Sequence, residues 1–363
     1  MIAPKKILIC RWARLGDVIL SEPATRQARA FFPDASISFL VDQRYDAIAQ
    51  MMPSVDEVIP VDRIAWRDRN HLTSVVEIIR STNALRRKQF DLFVDLQSFH
   101  ESQLLALWSR ARWRLAFKHP DRNHWGFCFN LPDVTEDKSL PLGEMFRQVV
   151  GSLSSSPLRP VIKDLPEDSS RGADFHEEMS PRSVPVLCVP ASEDAAASEL
   201  WSASGLKKVS RVFGMQISAP ALARMWPLAN YLDFAKRLID VASRKGQSAG
   251  IACFADAKES SWCEQLRTLA RSKGIPLLIS FTGSLFSWAA LMKRCTALVS
   301  NDTGPLHLSA AVGTPTLGLY GADYLDHYRP HGQNCRFLRK NALSDLAPQE
   351  VLETFLKMMD PAR

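Results

Sequence analysis

No run of apolar residues in this sequence is long enough to cross a bilayer as a helix. The seven cysteines are scattered, with no Cys-x-x-Cys pair and no companion histidine spacing. That argues for reduced thiols and against a structural zinc site. Gly-x-x-x-x-Gly-Lys-Ser/Thr and Gly-x-Gly-x-x-Gly are both absent. P-loop nucleotide hydrolysis and dinucleotide oxidoreduction therefore lose their usual sequence support. Asp-x-Asp is missing as well. The first residues, Met1-Ile-Ala-Pro-Lys-Lys6, run into a strand pattern and not a signal peptide, so the expectation is a cytoplasmic protein.

What is present is length for two α/β domains, 363 residues, each able to bury its own core. A net charge of +6 favours an anionic partner. The arginines concentrate between Arg63 and Arg122 and are interleaved with Trp113, Phe117 and Trp125. Basic residues among aromatics can hold single-stranded nucleic acid, but most such runs are solvated surface. No nucleic-acid fold motif accompanies this one, and a nucleic-acid partner is not expected.

The most informative stretch is Ala297-Leu-Val-Ser-Asn-Asp302-Thr-Gly304-Pro-Leu-His307, continuing to Gly313, Pro315 and Gly321. An apolar run, a polar turn, a small-residue helical pattern and a second apolar run read as strand, turn, helix, strand. Gly304 permits close backbone approach, Pro305 suits the first helical turn, and the helix start favours a phosphate. Asp302 and Thr303 are either caps or ligand contacts, and His307 lies one turn further on. Near the other end, Lys6 to Cys10 is a buried-strand pattern followed by Leu15-Gly16-Asp17 and a helix from Val18 to Phe31, with Pro23 either tolerated early in it or marking its true start. Locally, Asp17 is a cap or a carboxylate poised at a strand's carboxyl end.

These two stretches, with Phe90-Asp-Leu-Phe-Val-Asp95-Leu-Gln97, Trp226-Pro227 and Thr282-Gly283-Ser284, resemble glycosyltransferase family 9, the ADP-heptose lipopolysaccharide heptosyltransferases. The resemblance implies an α/β chain of GT-B architecture, two Rossmann-like domains with parallel sheets facing across a cleft. Residues 1–180 would form the acceptor domain and 181–345 the donor domain, joined by a linker within 164–185, with helix 346–359 packing back on the first. It implies that Asp17 is the general base. Donor contacts fall on Arg224, Glu259, Gly283, Ser284, Asp302, Thr303, Gly304 and His307. Acceptor contacts fall on Gly16, Arg63, Arg67, Arg69, Gln97, Lys118 and Arg122.

It further implies an inverting transfer of heptose from ADP-heptose to an anionic lipopolysaccharide precursor, with no cofactor and no metal, at the inner face of the cytoplasmic membrane. Two departures stand out. Arg224 occupies the place of the family's usual lysine, and Phe254-Ala-Asp-Ala-Lys-Glu259 lacks the family's glycines. They leave room for another nucleotide sugar serving a different glycan or protein acceptor. A non-catalytic nucleotide-sugar-binding protein is the remaining alternative, and the retention of Asp17 counts against it.

Overall fold

The computed structural model describes residues 2–63, 71–163, 183–221, 224–255, 260–273, 275, 278–281, 283–322, 326–330, 332 and 334–359. The chain divides into two compact units, Met1–Val186 and Leu187–Arg363.

In the first unit, β1 (Lys6–Cys10), α1 (Leu15–Leu20), α2 (Glu22–Phe31), β2 (Ser36–Asp42), α3 (Asp46–Gln50) and β3 (Glu57–Val61) form the first half. The second half is α4 (His71–Lys88), β4 (Leu92–Asp95), α5 (His100–Trp108), β5 (Trp113–Lys118), β6 (Val134–Thr135) and α6 (Leu142–Gly151). The central strands β1, β2 and β4 are buried on both faces, as a sheet covered by helices on each side requires, and all the strands pair in parallel. Their order is β3-β2-β1-β4-β5-β6. The single helix expected from Val18 to Phe31 is two, broken at Ser21 with Pro23 in the first turn of the second.

The second unit contains α7 (Ala191–Ala203), β7 (Arg211–Gln216), α8 (Leu228–Arg244), β8 (Ala249–Phe254), α9 (Ser260–Ser272) and β9 (Leu278–Phe281). It continues with α10 (Leu285–Met292), β10 (Ala297–Asn301), α11 (Gly304–Ala311), β11 (Thr316–Tyr320), β12 (Cys335–Arg339) and α12 (Pro348–Met359). Its parallel order β12-β11-β10-β7-β8-β9 is the first sheet's plan repeated. In each sheet the connections leave two neighbouring central strands in opposite directions, β1 and β4 in one, β7 and β10 in the other. The crevice that opens at their carboxyl ends is where such sheets hold ligands.

Helix α12 corrects one expectation. Its Val351, Leu352, Phe355 and Met358 share a core with Phe213, Trp226 and Phe234, and Phe355 meets Phe234 edge to face at 5.3 Å, so the helix is built into the second unit.

The residues before the division are gripped by the first unit. Ser183 donates its hydroxyl to Glu144, Arg26 Nη2 donates to the Val184 carbonyl at 2.7 Å, and the Val186 amide donates to Glu22 Oε2 at 3.0 Å. A Cβ on Gly143 would lie 2.9 Å from the Ser183 carbonyl, so the grip needs a glycine there. The very next amide, Leu187, donates to Ala311 of the second unit at 2.9 Å.

The Glu22 side chain is wholly buried, and that burial pushes its carboxyl up to about 7, against the pull of Arg26 and the Val186 amide. The folded chain therefore holds this proton more tightly than the unfolded chain. Ionisation costs nothing below the unfolded value and becomes a penalty that grows as pH rises from there to about 7. In urea unfolding, the stability difference between Glu22→Gln and wild type should move in the variant's favour by about 2–3 kcal/mol between about pH 5 and about pH 8. A difference that stays constant across that range would contradict the assignment.

Candidate active site

In the first unit, the switch point lies between the ends of β1 and β4. Asp17 stands in the first turn of α1, and Arg11, one residue beyond β1, donates from Nη2 to Asp17 Oδ2 at 2.8 Å. Arg11 Nη1 donates to the Leu96 carbonyl at 2.6 Å, just past β4. That loop is fixed by Asp95, fully buried, which accepts from the Gln97 amide at 2.8 Å, the Ser98 amide at 3.1 Å and Ser102 Oγ at 2.8 Å. The bonds hold Ser98 in the left-handed region at φ 61°, a conformation a serine adopts only when its surroundings impose it. Burial pushes the Asp95 carboxyl up to about 6, while these donors and Arg11 pull it down.

Gln97 accepts the Trp12 amide at 3.1 Å through Oε1 and is itself buried. Gln97, expected as an acceptor contact, gives its side-chain oxygen to the first turn past β1.

Beyond this loop is a cavity of about 350 Å³ lined by Arg63, Ser98, Phe99, His100, Glu101, Arg122 and Asn123. The guanidinium of Arg63 lies 5.1 Å from the Phe99 ring centre and that of Arg122 lies 4.6 Å from it. Two cations stacked on one aromatic ring form a positive, partly apolar recess suited to an anionic ligand. Gly16 lies in α1 and Lys118 ends β5. Arg67 and Arg69 fall outside the described residues.

The stretch around Trp113, expected to be basic surface, is the strand β5, with Leu115, Ala116 and Phe117 buried. Arg114 is spent on the carbonyls of Cys128 and Ala111, both at 2.7 Å.

In the second unit the corresponding crevice lies between β7 and β10. Asn301, the last residue of β10, is fully buried and joins the two strand ends. Its Oδ1 accepts from the Trp226 amide at 2.9 Å and the Tyr231 hydroxyl at 3.0 Å, and its Nδ2 donates to the Ile217 carbonyl at 3.0 Å. The loop after β7 is thereby held against the turn after β10, so that Arg224 pairs with the Asp302 carboxylate and donates to the Asp302 carbonyl at 3.2 Å.

Thr303 occupies the N-cap of α11 yet makes no side-chain cap bond; its hydroxyl donates to Gln216 Oε1 at 3.2 Å. Of the two readings of this turn, the cap is not the one Thr303 follows. The positive end of α11, with Gly304 first and Pro305 second, is left to the dipole and to Arg224. His307 is buried one turn on. Ser284 is a cap: it accepts from the Ser287 amide at 3.1 Å at the start of α10, with Gly283 exposed before it. Glu259 lies outside the described residues.

The sequence reading passed over Arg11 and Asn301. Each leaves a signal in hindsight, since a polar residue directly at the end of a fully buried central strand has no reason to be there unless it has partners.

The family model described as Glycosyltransferase family 9 (heptosyltransferase) matches residues 78–357. The chain is 24% identical to lipopolysaccharide heptosyltransferase 2 of Salmonella typhimurium, across 96% of its own length and 97% of that protein's. Among solved structures, the glycosyl transferase family 9 protein of Veillonella parvula superposes with a TM-score of 0.79 at 18% identity, covering 99% of this chain and 98% of that one. Escherichia coli heptosyltransferase WaaC with ADP gives 0.71 at 18% identity, covering 97% and 99%. The likeness in fold bears out the α/β, GT-B class expected from the sequence.

Proposed function

Since that match spans most of its length, the chain belongs to glycosyltransferase family 9 and is a glycosyltransferase, and from this premise we propose that it moves a heptose from ADP-heptose to the inner core of lipopolysaccharide. Asp17 takes the proton of an acceptor hydroxyl as that oxygen attacks the anomeric carbon from the face opposite the diphosphate. The carbon–phosphate oxygen bond breaks, the configuration inverts and ADP departs. Negative charge gathers on the leaving diphosphate, and Arg224 with the start of α11 stabilises it without a cofactor or a metal.

The observation that carries this reading is the placement of the two polar turns. Asp17 and the Asp302 turn occupy the same switch point in two sheets of the same strand order, one presenting a proton acceptor and the other a seat for an anion. The name of the Salmonella relative favours a lipopolysaccharide acceptor, and the solved relative that holds ADP favours that nucleotide. The Arg63–Phe99–Arg122 recess suits the acidic sugar of such an acceptor. The enzyme meets its lipid-borne acceptor by peripheral contact at the inner face of the cytoplasmic membrane; among the described residues no helix is long and apolar enough to cross a membrane.

Calorimetry against ADP and UDP, followed by a transfer assay with ADP-heptose, tests the proposal. Tight ADP binding and heptose transfer support it. Preference for UDP turns the reading toward another nucleotide sugar, for which the arginine at 224 leaves room. Arg224→Met should weaken ADP binding by about 10- to 100-fold, the usual range for losing a charge-assisted hydrogen bond, and unchanged affinity would remove Arg224 from the donor site.

A further inference from the structure

We propose that Arg11 is the positioning residue that orients Asp17 for proton abstraction, an inference that rests on Asp17 being the base. Arg11 is 7% exposed, so its influence on a substrate passes through what it holds. Four contacts fix it. Its amide donates to the Leu40 carbonyl at 3.1 Å, its Nη1 to the Leu96 carbonyl at 2.6 Å and its Nη2 to Asp17 Oδ2 at 2.8 Å, and the guanidinium lies 4.9 Å from the buried Phe146 ring. The Leu96 carbonyl is itself immobilised, because the Leu96 amide donates to Cys10 at 3.0 Å and the Asp95 turn closes over the following two residues.

A rigid loop from β4 therefore aims a planar fork at one oxygen of the Asp17 carboxylate. With Oδ2 engaged, Oδ1 is the oxygen presented to the acceptor hydroxyl. A charged side chain with this degree of burial is costly unless it is paired, and the partner Arg11 has is the Asp17 carboxylate, its Nε making no hydrogen bond. A fold needing only a cap at the start of α1 would not require it.

The test measures kcat and KM of the full chain with ADP-heptose and a lipid-borne acidic acceptor. Arg11→Met should lower kcat about a hundredfold, the cost of letting a reacting group drift by about 1 Å, with donor KM within about threefold. Arg11→Lys, which keeps the charge but not the fork, should recover part of the loss. Added to Asp17→Asn, Arg11→Met should cost less than about twofold more, because both changes remove one function. A merely structural role would lower the rate as much in that background as in wild type, and that result overturns the proposal. Wild-type kcat in Arg11→Met also overturns it while leaving the base reading intact. Full turnover in Asp17→Asn alone removes the base, and the positioning role with it. If Arg11→Met does not fold, Arg11→Lys decides: a kcat lower by about fivefold or more at constant donor KM supports the role, and wild-type kcat refutes it.

Discussion

Asp17→Asn is expected to reduce turnover by about 10²–10⁴-fold, the contribution of a well-placed general base, and to leave ADP affinity within about twofold of wild type. The geometry explains why the change is so clean. An asparagine fills the same volume, and its side-chain oxygen accepts from Arg11 Nη2 as Oδ2 does at 2.8 Å. The amide nitrogen is then turned toward the acceptor. It is a donor with no lone pair to offer, so the hydroxyl keeps its proton and its oxygen stays a poor nucleophile. The groups assigned to the donor, Arg224 and the start of α11, belong to the other sheet. Single-turnover transfer alongside ADP calorimetry would separate chemistry from binding, and retained turnover would end Asp17's part in the mechanism.

Asn301→Ala should have the largest effect on stability, about 3–5 kcal/mol, from a cavity plus a buried amide left without its acceptor. The Trp226 amide loses its bond at 2.9 Å, while the Tyr231 hydroxyl keeps one partner, the Gln216 carbonyl at 3.0 Å. The loss also has a functional edge. Trp226 anchors the far end of the loop carrying Arg224, with its ring edge to face on Tyr231 at 4.8 Å and its Nε1 donating to the Leu346 carbonyl at 3.0 Å. Once the amide is released, the Arg224–Asp302 pairing is no longer set by the strand ends. Urea unfolding should show the lower midpoint, and calorimetry at a temperature where the variant is folded should show weaker ADP binding. Wild-type values in both would mean that the loop is held by Trp226 alone.

Much of the architecture could be read in advance because a parallel sheet leaves a plain trace. Lys6–Cys10 and Ala297–Asn301 are uninterrupted buried runs ending in polar turns, and short-range pattern alone reveals them. The signature turn was legible for the same reason. Side-chain partners were not. Gln97 and Ser284 were expected as substrate contacts, and the structure adds a partner for each, the Trp12 amide for Gln97 and the Ser287 amide for Ser284. In both cases that partner lies in tertiary or cap geometry that a linear motif does not record. Strand β5 was obscured by Arg114, which bonds to the Cys128 and Ala111 carbonyls while Leu115 and Phe117 supply the buried face. The C-terminal helix was assigned to the first unit by analogy, and its apolar stripe proves complementary to the aromatic core under β7.

The grip on Ser183–Val186 locates the covalent seam of the molecule at a single peptide bond. Gene fragments that end at residue 180 would strip the first half of the segment that fills the space beside Gly143 and answers Glu144, Arg26 and Glu22, while saddling the second half with a tail it does not use. Cutting after Val186 keeps that segment with Glu144, Arg26 and Glu22, and Leu187, whose amide donates to Ala311, begins the second half.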